Sequence, residues 1–213
     1  QTAVGYHALI CNTTGCRNTA LGIFALCCNV TGCDNTASGA YALYKNTGSN
    51  NSAFGFTALI TNTSGQYNTA VGGCSLYANT TGTNNTAVGY QALKTNECSN
   101  DNTALGTYAL CLTTGHSNVA VGYYALYSAT TAVQNTAIGW GALKDTTGSY
   151  NTGVGWSTLF YNTTGTLNVA IGSGAMNNNT SGSNNIVMGY RAAYLNSGDL
   201  GENNIFMGTS TGN

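Results

Sequence analysis

Asn85-Thr86-Ala87-Val88-Gly89-Tyr90-Gln91-Ala92-Leu93-Lys94-Thr95-Asn96-Glu97-Cys98-Ser99-Asn100-Asp101 is one copy of a unit that fills the chain. Asn68-Thr69-Ala70-Val71-Gly72 stands 17 residues before its core and Asn102-Thr103-Ala104-Leu105-Gly106 stands 17 after it. Aligned on the glycine, the unit occurs thirteen times, at Gly5, Gly22, Gly39, Gly55, Gly72, Gly89, Gly106, Gly122, Gly139, Gly155, Gly172, Gly189 and Gly208. Its consensus is Asn-Thr-Ala-Val-Gly-Tyr-x-Ala-Leu-x-x-Asn-Thr-Thr-Gly-x-x. A fixed period of this kind marks a repeat architecture in which no unit buries its own apolar face and neighbours must stack to do so.

Seventeen residues are too few for a helical hairpin and suit short strands separated by turns. The expected fold is therefore all-β, a parallel β-solenoid forming one domain over residues 1–213, with roughly 12 rungs at about 4.8 Å and a length of about 60 Å. Two short strands are expected per rung, as in Asn85 to Tyr90 and Gln91 to Thr95. The Asn-Thr-Thr-Gly segment is the wider turn, where Gly tolerates positive φ and Asn and Thr bond to nearby backbone. Length changes fall there, including the insertion from Asn196 to Glu202.

Stacking turns each motif position into a column. Four residues before the glycine stand Gln1 and then Asn18, Asn35, Asn51, Asn68, Asn85, Asn102, Asn118, Asn135, Asn151, Asn168, Asn185 and Asn204, the members of an expected amide ladder. The column before the glycine (Val4, Leu21, Val71, Val88 and their equivalents) and the column four after it (Leu26, Leu43, Leu93 and theirs) are the expected core. The alanine column, Ala3 to Ala137, then lies on the other face. Because that face is small and uncharged, a second chain is expected to cover it, making a homo-oligomer, most simply a trimer.

Only 11 of 213 residues are charged, with a net charge of −1, where a typical domain has about 25%. No basic stripe exists to displace counterions from phosphates, so nucleic acid is excluded as a partner. No apolar run approaches the roughly 20 residues that span a bilayer, so no membrane insertion is expected, and nothing at the start of the chain reads as an export signal. The repeat is in phase from Gln1 to its last glycine, so head-to-tail stacking of copies into a filament is a further expectation.

The Asn-Thr-Ala-Val-Gly core resembles the Asn-Ser-Val-Ala-Ile-Gly repeat in the head domains of YadA-like trimeric autotransporter adhesins. The nearest local matches are Asn185-Ile186-Val187-Met188-Gly189 and Asn204-Ile205-Phe206-Met207-Gly208. It also resembles the Asn-Thr-Ala-x-Gly-x-x-Ala-Leu arrays of tail-fibre-like surface proteins. The resemblance implies a left-handed parallel β-roll, usually trimeric, in an extracellular fibre or adhesin on a cell or virion surface. The unit here is longer than the adhesin one, Thr replaces its first Val, and the motif brings no stalk or anchor with it.

The eight cysteines suggest an oxidising compartment. Cys11 and Cys28 share one column and Cys16 and Cys33 another, so neighbouring rungs would bring each pair within the Cα window for a disulfide. A turn pairing, Cys28 with Cys33, competes, and Cys98 with Cys111 is a further candidate. Asn-x-Ser/Thr sequons fall at Asn12, Asn29, Asn50, Asn62, Asn79, Asn84, Asn162, Asn178 and Asn179. Six of them share the turn column, which reads as an exposed, sugar-coated edge. After the glycine come Tyr123, Trp140 and Trp156 in successive units, an aromatic row suited to a subunit interface or to a glycan platform.

Catalysis needs unlike groups with shifted pKa values, whereas this chain repeats neutral residues, and His7 and His116 stand in different columns away from carboxylates. No enzyme activity, metal or cofactor is expected. The expected function is structural, a rigid module of an extracellular fibre. An adhesin head binding host or matrix ligands is the alternative, and ice binding through the threonine columns is a weaker one.

Overall fold

The computed structural model describes residues 1–194 and 199–212. Asn196, in the expected insertion, lies outside them. The described residues contain no helix and form a parallel β-solenoid of turns of about 17 residues. It divides into two compact units, Gln1–Thr107 and Tyr108–Asn213.

The first unit contains β1 (Thr2–Val4), β2 (Thr19–Leu21), β3 (Thr36–Ser38), β4 (Ser52–Phe54), β5 (Thr69–Val71), β6 (Thr86–Val88) and β7 (Thr103–Leu105). The second contains β8 (Val119–Val121), β9 (Thr136–Ile138), β10 (Thr152–Val154), β11 (Val169–Ile171), β12 (Ile186–Met188) and β13 (Ile205–Met207). Within each unit the strands pair in chain order, parallel and in register with the motif, Ala70 opposite Ala87 and Ala87 opposite Ala104.

Each turn has one strand of three residues, not two longer ones. The expected second strand, Gln91 to Thr95, is a chain of corners, because Gln91 and Leu93 have φ of 55° and 51°. The same left-handed geometry recurs at Asn84, at φ 58°. Left-handed backbone costs an L-residue roughly 1–2 kcal/mol, but burying a leucine side chain contributes roughly 1.5–3 kcal/mol. Leu93 is wholly buried at its corner, and so are Leu26, Leu43, Leu59 and Leu76. Hydrogen bonds to adjacent turns hold the corners as well as the strands: the amides of Thr86, Gly89 and Gln91 donate to Asn102, Val71 and Gly73 at 2.8, 2.8 and 3.0 Å.

The strand faces are the reverse of expectation. Ala20, Ala37, Ala53, Ala70, Ala87 and Ala104 have no exposed surface, whereas Val88 is 37% exposed and Leu21 51%. The interior is thus alanine, the corner leucine and asparagine, and the valine column faces outward with the threonines. A turn that bends through several left-handed corners encloses too little width for two facing branched side chains, so the smallest apolar residue takes the inside of the strand. The alanine column therefore needs no second chain to cover it.

Candidate functional site

Two internal asparagine columns are the most regular polar feature of the molecule. In the first, the side-chain carbonyl accepts from the backbone amide of the next turn: Asn35 N–H donates to Asn18 Oδ1 at 2.9 Å, Asn68 to Asn51 at 3.0 Å and Asn85 to Asn68 at 3.0 Å. Each Nδ2 donates to a wide-turn carbonyl, as Asn68 to Gly82 at 2.8 Å and Asn85 to Ser99 at 2.8 Å. The second unit repeats this from Asn118 and Asn135 through Asn151, Asn168 and Asn185 to Asn204. The ladder foreseen from sequence is present, built on amide-to-backbone as well as amide-to-amide bonds. A buried amide with its polar atoms bonded avoids the roughly 1–3 kcal/mol penalty of an unsatisfied group.

The second column was read as the glycan edge, and the structure turns it inward. Asn29, Asn62, Asn79, Asn162 and Asn179 have no exposed surface. Asn29, Asn62 and Asn79 each donate from Nδ2 to the preceding member, at 2.8, 2.6 and 2.7 Å. Asn162 donates to Thr146 Oγ1 at 3.1 Å and Asn179 to Asn162 at 2.9 Å. A sugar on any of these nitrogens would replace an internal hydrogen bond and find no space. The signal that separates a ladder from a sequon was in the chain: Asn46 and Asn96 keep the column although neither begins a sequon, and both are buried. Asn12, in the first turn, is half-buried and Asn178 likewise, while Asn50 and Asn84 are exposed. Secreted, folded protein from a glycosylating host is expected to carry N-glycan at Asn50 and Asn84 and none at Asn62 or Asn79. Peptide mapping after deglycosylation in heavy-oxygen water checks this, and occupancy at Asn62 would contradict the buried ladder.

Among the cysteines, Cys16 and Cys33 are brought together, with Sγ atoms 2.6 Å apart. The contact with the Cys33 thiol, followed by desolvation, raises the Cys16 pKa. Burial pushes Cys27 up to about 11, with Cys28 and Cys11 beside it. Cys111 is buried and Cys98 exposed, in different units. Air or glutathione disulfide is expected to oxidise Cys16 and Cys33 to one cystine, two thiol hydrogens passing to the oxidant. Non-reducing peptide mapping tests this: one linked peptide pair containing Cys16 and Cys33, lost in Cys16→Ser, is the expected result, and both thiols alkylating freely after oxidation would refute it. Arg17 and Asp34, the next residues along, form a bidentate pair at 2.6 and 2.7 Å. The Arg17 guanidinium holds the Asp34 carboxyl below its ordinary range, but the pair is exposed and adds little stability. Among the described residues no group of three or more His, Cys, Asp or Glu side chains is arranged to hold a metal ion, and no helix is long and apolar enough to cross a membrane.

The aromatic row divides. Tyr123 packs on Tyr124, ring centroids 4.2 Å apart, within a cluster that includes Tyr108 and Tyr127. Trp140 and Trp156 stack in parallel, 5.3 Å between centroids and 11° between planes. Phe160 stacks on Trp140 at 6.1 Å. Together with Ser157, Tyr161, Asn177, Asn178 and Tyr194 these rings line a cavity of about 400 Å³ in the second unit. Of these residues the sequence singled out the two tryptophans as an aromatic row and Asn178 as a sequon, and it joined none of the others to them. Phe160, Asn177 and Tyr194 belong to one column five residues past the glycine, which varies from turn to turn and so carries no repeat signal.

Comparison of the chain with protein-family models, with curated proteins and with solved structures gives no match. The likeness to adhesin heads and tail fibres rests on the motif alone, and what the chain is shown to be is a parallel β-solenoid of tandem 17-residue turns held by asparagine ladders.

Proposed function

We propose that the chain is a structural module of an extracellular fibre, whose copies associate side by side through the outward strand face. The observation that supports this reading is the apolar row on that face. Val71, Val88 and Leu105 are 36, 37 and 38% exposed in consecutive turns of the first unit, and Ile171, Met188 and Met207 continue the motif position in the second. A row of this kind, one apolar side chain per strand spacing, matches the same row on a second copy, and an isologous contact places it against itself. The interior is filled by the chain's own alanines and leucines, so association would use the valine column and not the alanine column.

Sedimentation velocity tests the proposal. The wild-type chain is expected to sediment as an oligomer, and the pair Val71→Lys with Val88→Lys, whose side chains point outward, as a folded monomer. A wild-type monomer at the highest soluble concentration would overturn the lateral association.

A second reading, ice ordering, is favoured by one specific observation. In the first unit the column three residues before the repeated glycine is hydroxyl in every turn, Thr2, Thr19, Thr36, Ser52, Thr69, Thr86 and Thr103, and it faces outward instead of being covered. In the second unit Val119, Val169, Ile186 and Ile205 interrupt it. Thermal hysteresis lost on Thr69→Tyr would support this reading, and freezing like that of a buffer containing albumin would remove it.

A further inference from the structure

We propose that the cleft behind Trp156 in the second unit binds one pyranose ring of a neutral sugar. This does not rest on the fibre reading. It starts from the column that follows the repeated glycine, where successive turns carry Trp140, Trp156, Ser173 and Tyr190. Trp140 covers one face of Trp156, so the opposite face of that indole turns toward the next turn. There the motif supplies Ser173 and Gly174 in place of rings, and Trp156 remains 55% exposed.

The gap has the size of a ring. Two turns of the stack span about 9.6 Å, and a ring packed at roughly 3.5–4.0 Å from each wall occupies about 7–8 Å of it. Tyr194 lines the cavity, and a side chain added at Gly174 would meet that ring and the Arg191 side chain, each at 3.4 Å. Polar groups stand around the apolar walls. Ser157, Tyr161, Asn177 and Asn178 line the cleft, and Asn177 Nδ2 is fixed by bonds of 2.8 Å to the Ser157 carbonyl and hydroxyl. No lining residue is charged. Two cations sit on aromatic rings at the cleft, Lys144 over Phe160 at 4.7 Å and beside Asp145 at 3.4 Å, and Arg191 over Tyr194 at 4.9 Å and Tyr190 at 5.8 Å, so their charges are held on protein groups. Aromatic faces with neutral hydroxyl and amide groups at their rim match a molecule that has C–H faces and a hydroxyl edge.

Trp140 and Trp156 are the only tryptophans in the chain, so intrinsic fluorescence reports on this cleft directly. Titration of the whole protein with cellobiose and with N,N′-diacetylchitobiose, against glycerol as a polyol without a ring, is expected to give a saturable emission change with one or both sugars, half-complete on the order of 1–10 mM. Ser173→Tyr completes the aromatic column, and is expected to keep the circular dichroism and melting temperature while abolishing saturation. If that variant does not fold, Trp156→Leu followed by calorimetry replaces it, with at least a tenfold loss of affinity expected. A linear drift equal to that with glycerol, or unchanged saturation in Ser173→Tyr, would overturn the proposal. So would emission that shifts with protein concentration but not with sugar, which would make the cleft an interface between copies.

Discussion

Gly72→Ala is expected to destabilise the first unit by about 2–4 kcal/mol, while Gly73→Ala, one residue further, changes stability by less than about 0.5 kcal/mol. Gly72 has φ of 128°, and a Cβ there would meet the carbonyl oxygen and carbon of Gly89 at 2.6 and 2.8 Å. Neither atom can retreat, because both belong to the backbone of the next turn, which is hydrogen-bonded on to its own neighbour. A Cβ at Gly73 would meet only the Tyr90 ring, at 3.5 Å, which is ordinary contact. Chemical denaturation of the two variants side by side measures the difference. Equal effects would mean that the turns do not approach as closely as the repeated glycine implies.

Asn85→Asp is expected to cost more, about 3–5 kcal/mol at neutral pH, as does breaking a buried charged pair. The change is nearly isosteric, so it isolates the chemistry of the ladder. Asn85 Nδ2 donates to Asn68 Oδ1 at 3.1 Å and to the Ser99 carbonyl at 2.8 Å, while its own Oδ1 accepts from the Asn102 amide at 3.1 Å. A carboxylate keeps the acceptor but replaces Nδ2, the donor of both bonds, by one oxygen facing two carbonyl oxygens, with a charge in a site that has no exposed surface. That environment raises the pKa of the introduced acid in the folded state above its unfolded value. The destabilisation is therefore complete above the raised value and is relieved in part as the pH falls through it, since the protonated acid regains one donor. The expected result is a denaturation midpoint that rises from pH 7 to pH 5 in the variant relative to the wild type. A variant as stable as the wild type at pH 7 would show that the column is wet.

Asp199 shows the opposite sign in a natural carboxylate. It accepts from the amides of Thr180 and Ser181 at 2.9 and 2.5 Å and from their hydroxyls, and these bonds, the Ser181 hydroxyl first, hold its pKa far below the ordinary carboxylate range. Its contribution is full above the unfolded pKa, declines as the pH falls below that value and is gone below the lowered folded one. The contrast explains why a carboxylate suits the surface of a wide turn, where amides converge on it, and not the ladder, where one face is already a row of carbonyls.

The period, the parallel stacking and the first asparagine ladder were legible in the sequence because translation along a solenoid turns a repeated residue into a column without any further folding information. The direction in which the strand faces was not. Thr86-Ala87-Val88 alternates equally well with either face inside, and hydrophobicity alone places Val88 within. What decides is the width left by left-handed corners at Asn84, Gln91 and Leu93, and leucine at positive φ runs against its intrinsic preference, so no local rule foretells it. The buried turn asparagines were concealed by a coincidence of spelling, since Asn62-Thr63-Ser64 reads as both a ladder rung and a sequon. The cleft at Trp156 was half legible. The tryptophan pair stood out, but the gap at Ser173 and Gly174 appears only as a departure from a pattern whose outward column is itself variable.

Residue-resolved amide hydrogen exchange in the turn of β6 tests most directly whether each turn is bonded to its neighbours along strand and corner alike. Asn85, Thr86, Gly89 and Gln91 donate to Asn68 Oδ1 and to the carbonyls of Asn102, Val71 and Gly73. These four amides are expected to exchange together, at the rate set by unfolding of the whole first unit. Rapid exchange at Gly89 and Gln91 beside slow exchange at Thr86 would contradict the account, because it would leave the strand paired and the corners open.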